Sequence, residues 1–89
     1  MNKVFLSGTL KKQPETLYTP RGEKLIIFPL WVDEGAFNID VIFQERPGTK
    51  EIADMTGSTI MVSGALEKGA GKKHDQFRLM ANKIIRMEV

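Results

Sequence analysis

An 89-residue chain with a formal net charge of +2 is enough for one small domain, whose core supplies only modest stability. The chain has no cysteine, which excludes disulfides and thiolate metal sites, and its single histidine, His74, argues against a zinc site. No apolar run approaches the roughly 20 residues needed to cross a bilayer, and the first residues do not resemble a signal peptide. We therefore expect a cytoplasmic protein that binds no metal, has no membrane contact and gains stability by self-association.

The first predicted element is a strand from Lys3 to Leu10, in which two sets of side chains alternate. Gly8 lies in the middle of this strand, which is typical of a bend or of a close approach by another backbone. Residues 11–23 are predicted to form a loop, because Pro14 and Pro20 interrupt them.

The second predicted strand, from Lys24 to Val32, is apolar on both faces. One face holds Ile26, Phe28, Leu30 and Val32, and the other holds Leu25, Ile27, Pro29 and Trp31. A surface strand of a monomer normally has one polar face. The second apolar face therefore indicates cover by a partner subunit or by a ligand.

A tight turn at residues 33–36 joins this strand to a third one, which is predicted at about residues 37–44. Pro47-Gly48 then breaks the chain before a short predicted helix, roughly residues 49–55. Thr49 is a suitable N-cap for this helix, and Gly57 follows its end.

A fourth strand is predicted over residues 59–66, and a Gly-rich basic turn leads to a fifth at about residues 76–87. Residues 79–87 also allow a helical reading, but the β-rich context and Ile84-Ile85 favour a strand. Three strands, a short helix and two strands follow the order of an OB-fold. We predict an all-β, five-stranded Greek-key barrel with one short helix between strands three and four, as a single domain over residues 1–89.

Catalysis finds little support in the sequence. The adjacent carboxylates Asp33-Glu34 lie in a turn and have no apolar pocket around them, unlike paired catalytic carboxylates. No serine is placed as a partner for His74, and the Gly69–Lys73 segment lacks the spacing of a phosphate-binding loop. We therefore predict that the chain is not an enzyme.

The aromatic and basic residues suit a surface for single-stranded nucleic acid better. Such a surface needs flat rings on which bases stack and cations that follow the phosphates. The candidate stacking residues are Tyr18, Trp31, Phe37, Phe43 and Phe77. The candidate phosphate contacts are Lys11, Lys12, Arg21, Lys24, Lys72 and Lys73. Lysine clusters are also common on solvated loops, so this interpretation requires the first and last loops to converge in space.

Each of these rings also has a structural alternative, because a small barrel needs aromatic residues in its core. Alternation assigns Phe28 and Phe5 to the core or to a subunit contact. The same rule places Trp31 on the opposite face of its strand from Phe28. Trp31 is therefore expected at the surface or in an interface.

Several short motifs follow one another in a fixed order along the first 24 residues. They are Asn2-Lys3-Val4, Leu6, Gly8, Pro14-Glu15 and Tyr18-Thr19-Pro20. Two later segments, Asp40–Phe43 and Gly57–Leu66, continue the pattern. Together these residues resemble the bacterial single-stranded DNA-binding proteins over nearly the whole chain, most weakly in the fifth strand. The resemblance implies an OB-fold that binds single-stranded DNA in replication, restart, recombination or repair.

Alternation and the resemblance disagree about the third strand. Alternation places Phe37 and Phe43 on the core side together with Val41. The resemblance implies instead that both rings stack on bases, which would turn Asp40 inward, and a bulge would reconcile the two registers. We favour the register that the resemblance implies.

The chain also departs from that family. Its hairpin loops are short, the family's tryptophan between strands four and five is absent, and it ends at Val89 without the acidic, Phe-terminated tail that recruits partner proteins. In size it is similar to a short, tailless, dimeric relative, primosomal replication protein N. We therefore expect a homodimer or homotetramer that binds single-stranded DNA, with replication or primosome proteins as possible partners; a phage, plasmid or accessory role is equally open.

Two interpretations from other classes stay open. The chain fits a protein-interaction module of a replication or primosome complex with only weak nucleic-acid binding, which its modest charge and short loops support. RNA binding is a third interpretation, against which the absence of the cold-shock aromatic motif argues.

Overall fold

The computed structural model describes residues 1–46, 52–69 and 76–87, which form strands and one 3-10 turn. The strands are β1 (Val4–Thr9), β2 (Glu15–Tyr18), β3 (Lys24–Val32), β4 (Phe37–Gln44), β5 (Thr59–Lys68) and β6 (Phe77–Arg86). The 3-10 turn spans Ile52–Met55. None of these segments contains a helix that is long and apolar enough to span a membrane.

The strands close into a barrel. Their order in the sheet is β1-β5-β6-β4-β3-β2, and β1 returns to pair with β3 through Thr9 and Trp31. The pair β4–β6 is parallel, whereas the other strand pairs are antiparallel. Five strands form the closed barrel, and β2 adds a short sixth strand outside it. The all-β, OB-type barrel predicted from the sequence is confirmed.

The barrel interior is filled by alternate side chains of its strands. The buried apolar residues are Leu10, Ile26, Phe28, Leu30, Val32, Val41, Phe43, Ile52, Met55, Ile60, Val62 and Leu79. The even-numbered apolar residues of β3 all point inward, as alternation predicted. The 3-10 turn contributes Ile52 and Met55 to this core.

Two glycines allow neighbouring backbones to approach closely. A Cβ atom on Gly8 would overlap the carbonyl oxygen of Trp31, beside the point where β1 and β3 meet. A Cβ atom on Gly64 would overlap the carbonyl oxygen of Met80, next to a register shift between β5 and β6. The prediction that Gly8 marks a close backbone approach is therefore confirmed.

The structure differs from the sequence prediction in the first loop. Residues 11–23, expected to be irregular, contain β2, which pairs with the beginning of β3 from Glu15–Ile27 to Tyr18–Lys24. Thr16, Leu17 and Tyr18 favour extended backbone, and the start of β3 extends beyond the barrel and leaves an edge to pair with.

The predicted helix lies partly outside the described residues. Its described end forms the single 3-10 turn Ile52–Met55, and Gly57 follows with φ of 89°, which suits a chain leaving a helical turn. Thr49, the expected N-cap, falls outside the described ranges. A longer helix between the third and fourth predicted strands therefore stays a prediction.

The register favoured for the third predicted strand is wrong. β3 and β4 pair without interruption from Leu25–Gln44 to Val32–Phe37, so no bulge shifts β4. Val41 is fully buried and Phe43 is 8% exposed, both within the core. Simple alternation gives the correct register, because the period of two decides which side chains a barrel strand buries. Phe43 is therefore a core residue whose side chain is almost fully enclosed.

Candidate nucleic-acid interface

Three adjoining cavities follow β4 along its length. The first, of about 510 Å³, is lined by Phe37, Asn38, Ile39, Asp40, Gln76 and Phe77. The second, of about 220 Å³, shares Asp40, Gln76 and Phe77 with the first and extends to Ile27, Ile42 and Arg78. The third, of about 250 Å³, shares Ile42 with the second and reaches Leu25, Gln44, Arg46 and Met80. We call this series of cavities the seam groove, since it follows the line where β4 pairs with β6.

The seam groove has the dimensions of a site for an extended strand. β4 contributes eight residues, and at about 3.3 Å per residue the groove is roughly 25 Å long. Single OB-folds bind roughly 4–16 nucleotides. The length of the groove therefore suits several successive nucleotides better than one small molecule.

Two of the predicted stacking residues lie in this groove. Phe37 is 42% exposed and Phe77 is 55% exposed, and both line the first cavity. The parallel register places Asp40 beside Arg78 and so brings the starts of β4 and β6 together. A Cβ atom on Gly35 would contact the Phe37 ring at 2.9 Å, so this ring rests on the turn between β3 and β4.

Trp31 lies beside the groove rather than in it. It pairs with Asn38, a residue that lines the first cavity, and with Thr9 of β1. Its indole Nε1 donates a hydrogen bond to Asp33 Oδ1 at 3.2 Å, and Lys11 Nζ lies 4.7 Å from the ring centroid. The ring is half-buried and faces away from Phe28, which confirms the prediction from alternation.

The remaining predicted residues of the first loop surround β2. Tyr18 is 70% exposed and stands opposite Lys24 on β3, away from the groove. Lys12 and Arg21 are exposed. Lys24 forms an ion pair with Glu45, with 2.6 Å between Nζ and Oε2, so its charge is partly neutralised. Lys72 and Lys73 lie outside the described residues, so whether the last loop converges with the first stays a prediction.

Sequence reasoning missed a row of charged residues, Asp40, Arg78 and Glu67, of which the first two line the groove. Arg78 pairs across the sheet with Asp40 on one side and Glu67 on the other. Its guanidinium donates to Glu67 Oε1 at 2.8 Å, and its Nε is buried without a hydrogen-bond partner. No local signal marks this row, because it depends on the parallel pairing of two strands far apart in sequence.

The charges of this row argue against a phosphate site in the middle of the groove. Two carboxylates, Asp40 and Glu67, flank one guanidinium. The carboxylates of Asp40 and Glu67 repel a phosphate placed beside them, whereas a neutral base is not repelled in this way. Elsewhere in the described parts of the chain, no cluster of three or more histidine, aspartate or glutamate side chains is suited to a metal ion.

A second exposed apolar surface lies on the far side of β1. Phe5, expected in the core or at a subunit contact, is 60% exposed, with Lys3 Nζ 5.4 Å from its ring centroid. Ser7 pairs with Met61, which pairs with Ile85, so these side chains share a face with Phe5. We call Phe5, Met61 and Ile85 the β1 face. The core alternative for Phe5 is wrong, whereas Phe28 is fully buried as predicted.

No protein-family model and no curated protein sequence matches this chain. Solved structures do match it. The wild-type single-stranded DNA-binding protein from Thermus aquaticus superposes with a TM-score of 0.76 at 26% identity, covering 100% of this chain and 41% of that protein. The chain therefore spans less than half the length of that protein.

Two shorter proteins match over most of their own length. The N-terminal domain of PriB from Thermoanaerobacter tencongensis, whose structure is dimeric, has a TM-score of 0.74 at 20% identity, covering 99% of this chain and 98% of that one. The second single-stranded DNA-binding protein of Mycobacterium smegmatis has a TM-score of 0.76 at 12% identity, covering 98% and 87%.

At 20% and 12% identity, the two shorter matches show the fold alone. All three proteins are named for single-stranded DNA binding or as PriB. The chain has the OB-fold of the single-stranded DNA-binding proteins and of PriB, and the resemblance seen in its sequence is confirmed.

Proposed function

We propose that the chain binds single-stranded DNA without strong sequence preference, with bases seated along the seam groove. The observation that carries this proposal is the pair of exposed rings, Phe37 and Phe77, on one open cavity. Successive bases stack on such rings whatever their sequence, because every base has a π-face. The likeness to single-stranded DNA-binding proteins supports the same function.

Bases and phosphates take different parts of the surface. Phe37, Phe77 and Trp31 provide stacking faces, with Tyr18 as a further ring on β2. The carboxylate of Asp40 in the groove disfavours a phosphate beside it, so the phosphates are proposed to lie at the rims, where the basic residues of the loops neutralise them. The residues proposed for this role are Lys11, Lys12, Arg21, Lys24, Lys72 and Lys73. The contribution of Lys24 is expected to be reduced, because Glu45 already pairs with it.

The wider role follows from this binding. Residues 1–89 act as one OB-fold domain in a cytoplasmic protein of DNA replication, restart, recombination or repair. Replication or primosome proteins are proposed as partners, in line with the likeness to PriB.

The protein is also proposed to form a homodimer or homotetramer. Phe5 is 60% exposed and Ile85 is 40% exposed, and the β1 face lies apart from the seam groove. A single barrel leaves this apolar face uncovered, and a second copy would bury it. The dimeric structure of the PriB domain supports this arrangement.

The same face favours one alternative function. A protein-interaction module with weak nucleic-acid binding would place a partner protein against Phe5 and Ile85. In that case the rings of the groove would contribute nothing to affinity for DNA.

Replacing the groove rings separates these functions. Phe37→Ala and Phe77→Ala are each expected to weaken binding of a labelled dT strand by about 1–3 kcal/mol, or roughly 5- to 150-fold. The measurement is fluorescence anisotropy. Phe5→Ala removes a ring of the same size outside the groove and serves as the matched control.

A strand of about four nucleotides, the short end of the range for one OB-fold, is short enough for one groove, so a lost partner subunit would not reduce the number of contacts. Unchanged affinity in both groove variants would contradict the proposed function. In that case an unaltered interaction with a partner protein would favour the module.

A further inference from the structure

In the free protein, the ammonium group of Lys11 lies over the ring of Trp31. Lys11 Nζ lies 4.7 Å from the ring centroid, within the distance of about 6 Å at which an ammonium group is attracted to an aromatic face. Lys11 is itself exposed. The ring face that it covers is therefore the face turned toward solvent, which is the face that a base would need.

The ring is held in this orientation from its edge. Trp31 Nε1 donates a hydrogen bond to Asp33 Oδ1 at 3.2 Å, in the turn that follows β3. The backbone of Trp31 is fixed by its pairing with Thr9 on one side and Asn38 on the other. With backbone and edge fixed, the half-buried ring keeps its orientation, and Lys11 lies over one of its faces.

A nucleobase and an ammonium group cannot occupy the same ring face. We propose that Lys11 covers Trp31 in the free protein, and that a stacking base displaces it onto a neighbouring phosphate. This inference rests on the proposed binding of single-stranded DNA. The exchange favours a charged nucleic-acid strand over a neutral aromatic compound, because only the strand brings a phosphate that receives the displaced ammonium group.

The covering of the ring can be tested without DNA. Trp31 is the chain's single tryptophan, so acrylamide quenching of its fluorescence reports the access to this ring alone. Lys11→Gln is expected to increase the quenching constant, because the ring face becomes open. Lys12→Gln removes the same charge from the neighbouring exposed position and is expected to leave the constant unchanged.

The displacement is tested by the affinity for a dT strand at rising salt. Each variant loses one phosphate contact, so each is expected to reduce the salt slope by about 0.7. At high salt, where phosphate contacts are screened, Lys11→Gln is expected to bind about two- to fivefold more tightly than Lys12→Gln, because the base no longer competes with an ammonium group.

Equal quenching in the two lysine variants would overturn the covering of Trp31 by Lys11. Equal or weaker binding of Lys11→Gln at high salt would overturn the displacement. If the unaltered protein bound no strand at all, the proposed function would fail and the displacement with it, whereas a difference in quenching would still establish the covering in the free protein.

Discussion

The aromatic residues of the site are held in place by the turn that joins β3 to β4. Phe37 rests on Gly35, whose φ of 116° and missing side chain make room for the ring. Trp31 is held by Asp33. Phe43, six residues after Phe37, is enclosed by the core. Of these two phenylalanines of β4, the exposed Phe37 is therefore a candidate binding residue, whereas the buried Phe43 is a packing residue.

This separation predicts opposite effects on stability and binding. Phe43→Ala is expected to lower the free energy of unfolding by about 3–5 kcal/mol, since it leaves a cavity in the core. Phe37→Ala is expected to cost about 1 kcal/mol, because the ring is only partly buried, while weakening DNA binding as described above. Urea denaturation measures both variants.

If Phe43→Ala does not fold, Phe43→Leu provides the comparison and is expected to lower the denaturation midpoint more than Phe37→Ala does. A larger loss of stability for Phe37→Ala than for either Phe43 variant would contradict the observed register of β4.

At the scale of elements, the barrel is closed by a short pairing between β1 and β3. The ladder between them consists of the pair Thr9–Trp31, and the neighbouring Gly8 leaves no room for a side chain against the Trp31 carbonyl. Because Trp31 is also a candidate stacking residue, closure of the barrel and the geometry of the site depend on the same backbone.

Gly8→Ala is therefore expected to destabilise the fold by about 1–3 kcal/mol, the usual cost of forcing extra volume into a packed site. Gly22→Ala is the matched control, because its surroundings are open and only its φ of 85° is unfavourable, at about 1 kcal/mol. Thermal unfolding followed by circular dichroism compares the two, and an equal or smaller effect of Gly8→Ala would contradict the close contact at the closure.

The elements that sequence predicts well are those with local signals. Alternation in β1, β3 and β5 identifies these strands and their inner faces. The turn at residues 33–36 is recognisable because it contains residues that are typical of turns, such as Asp33 and Gly35. β2 cannot be recognised from alternation, because all four of its side chains are exposed and no buried set alternates with an exposed one. For β4, the period of two gives the observed register, whereas the resemblance implies a wrong one.

The candidate site was predictable only in part, for a related reason. Aromatic rings and lysines are visible as residue types, so Trp31, Phe37 and Phe77 could be named. Whether a ring is open or buried depends on its neighbours in space, which is why Phe43 was misplaced. Arg78 and Asp40 meet through parallel pairing of β4 with β6, and nothing local in the sequence indicates that pair.

For the whole molecule, the seam groove holds the exposed rings of Phe37 and Phe77, the β1 face holds the ring of Phe5, and Tyr18 lies on β2 apart from both surfaces. One surface suits a nucleic acid and the other a second copy of the chain. A small barrel with an uncovered apolar face gains stability when that face is buried.

Phe5→Lys is expected to weaken self-association at least tenfold, or by about 1.4 kcal/mol. In a two-fold dimer the new charge would face its own copy and the nearby Lys3. Phe77→Lys, in the groove, is expected to leave the oligomer intact. Sedimentation over a range of concentrations measures both variants, and a monomer mass for the unaltered protein at all concentrations would rule out the proposed assembly.

The most direct measurement of the central claim is a titration of Trp31 fluorescence with a dT strand and with duplex DNA, each at low and at high salt. We predict saturable quenching by the single strand, weakening as salt rises with a slope of about −0.7 for each phosphate contacted, and little response to the duplex. No change in Trp31 emission, together with no change in the anisotropy of a labelled strand, would contradict the account.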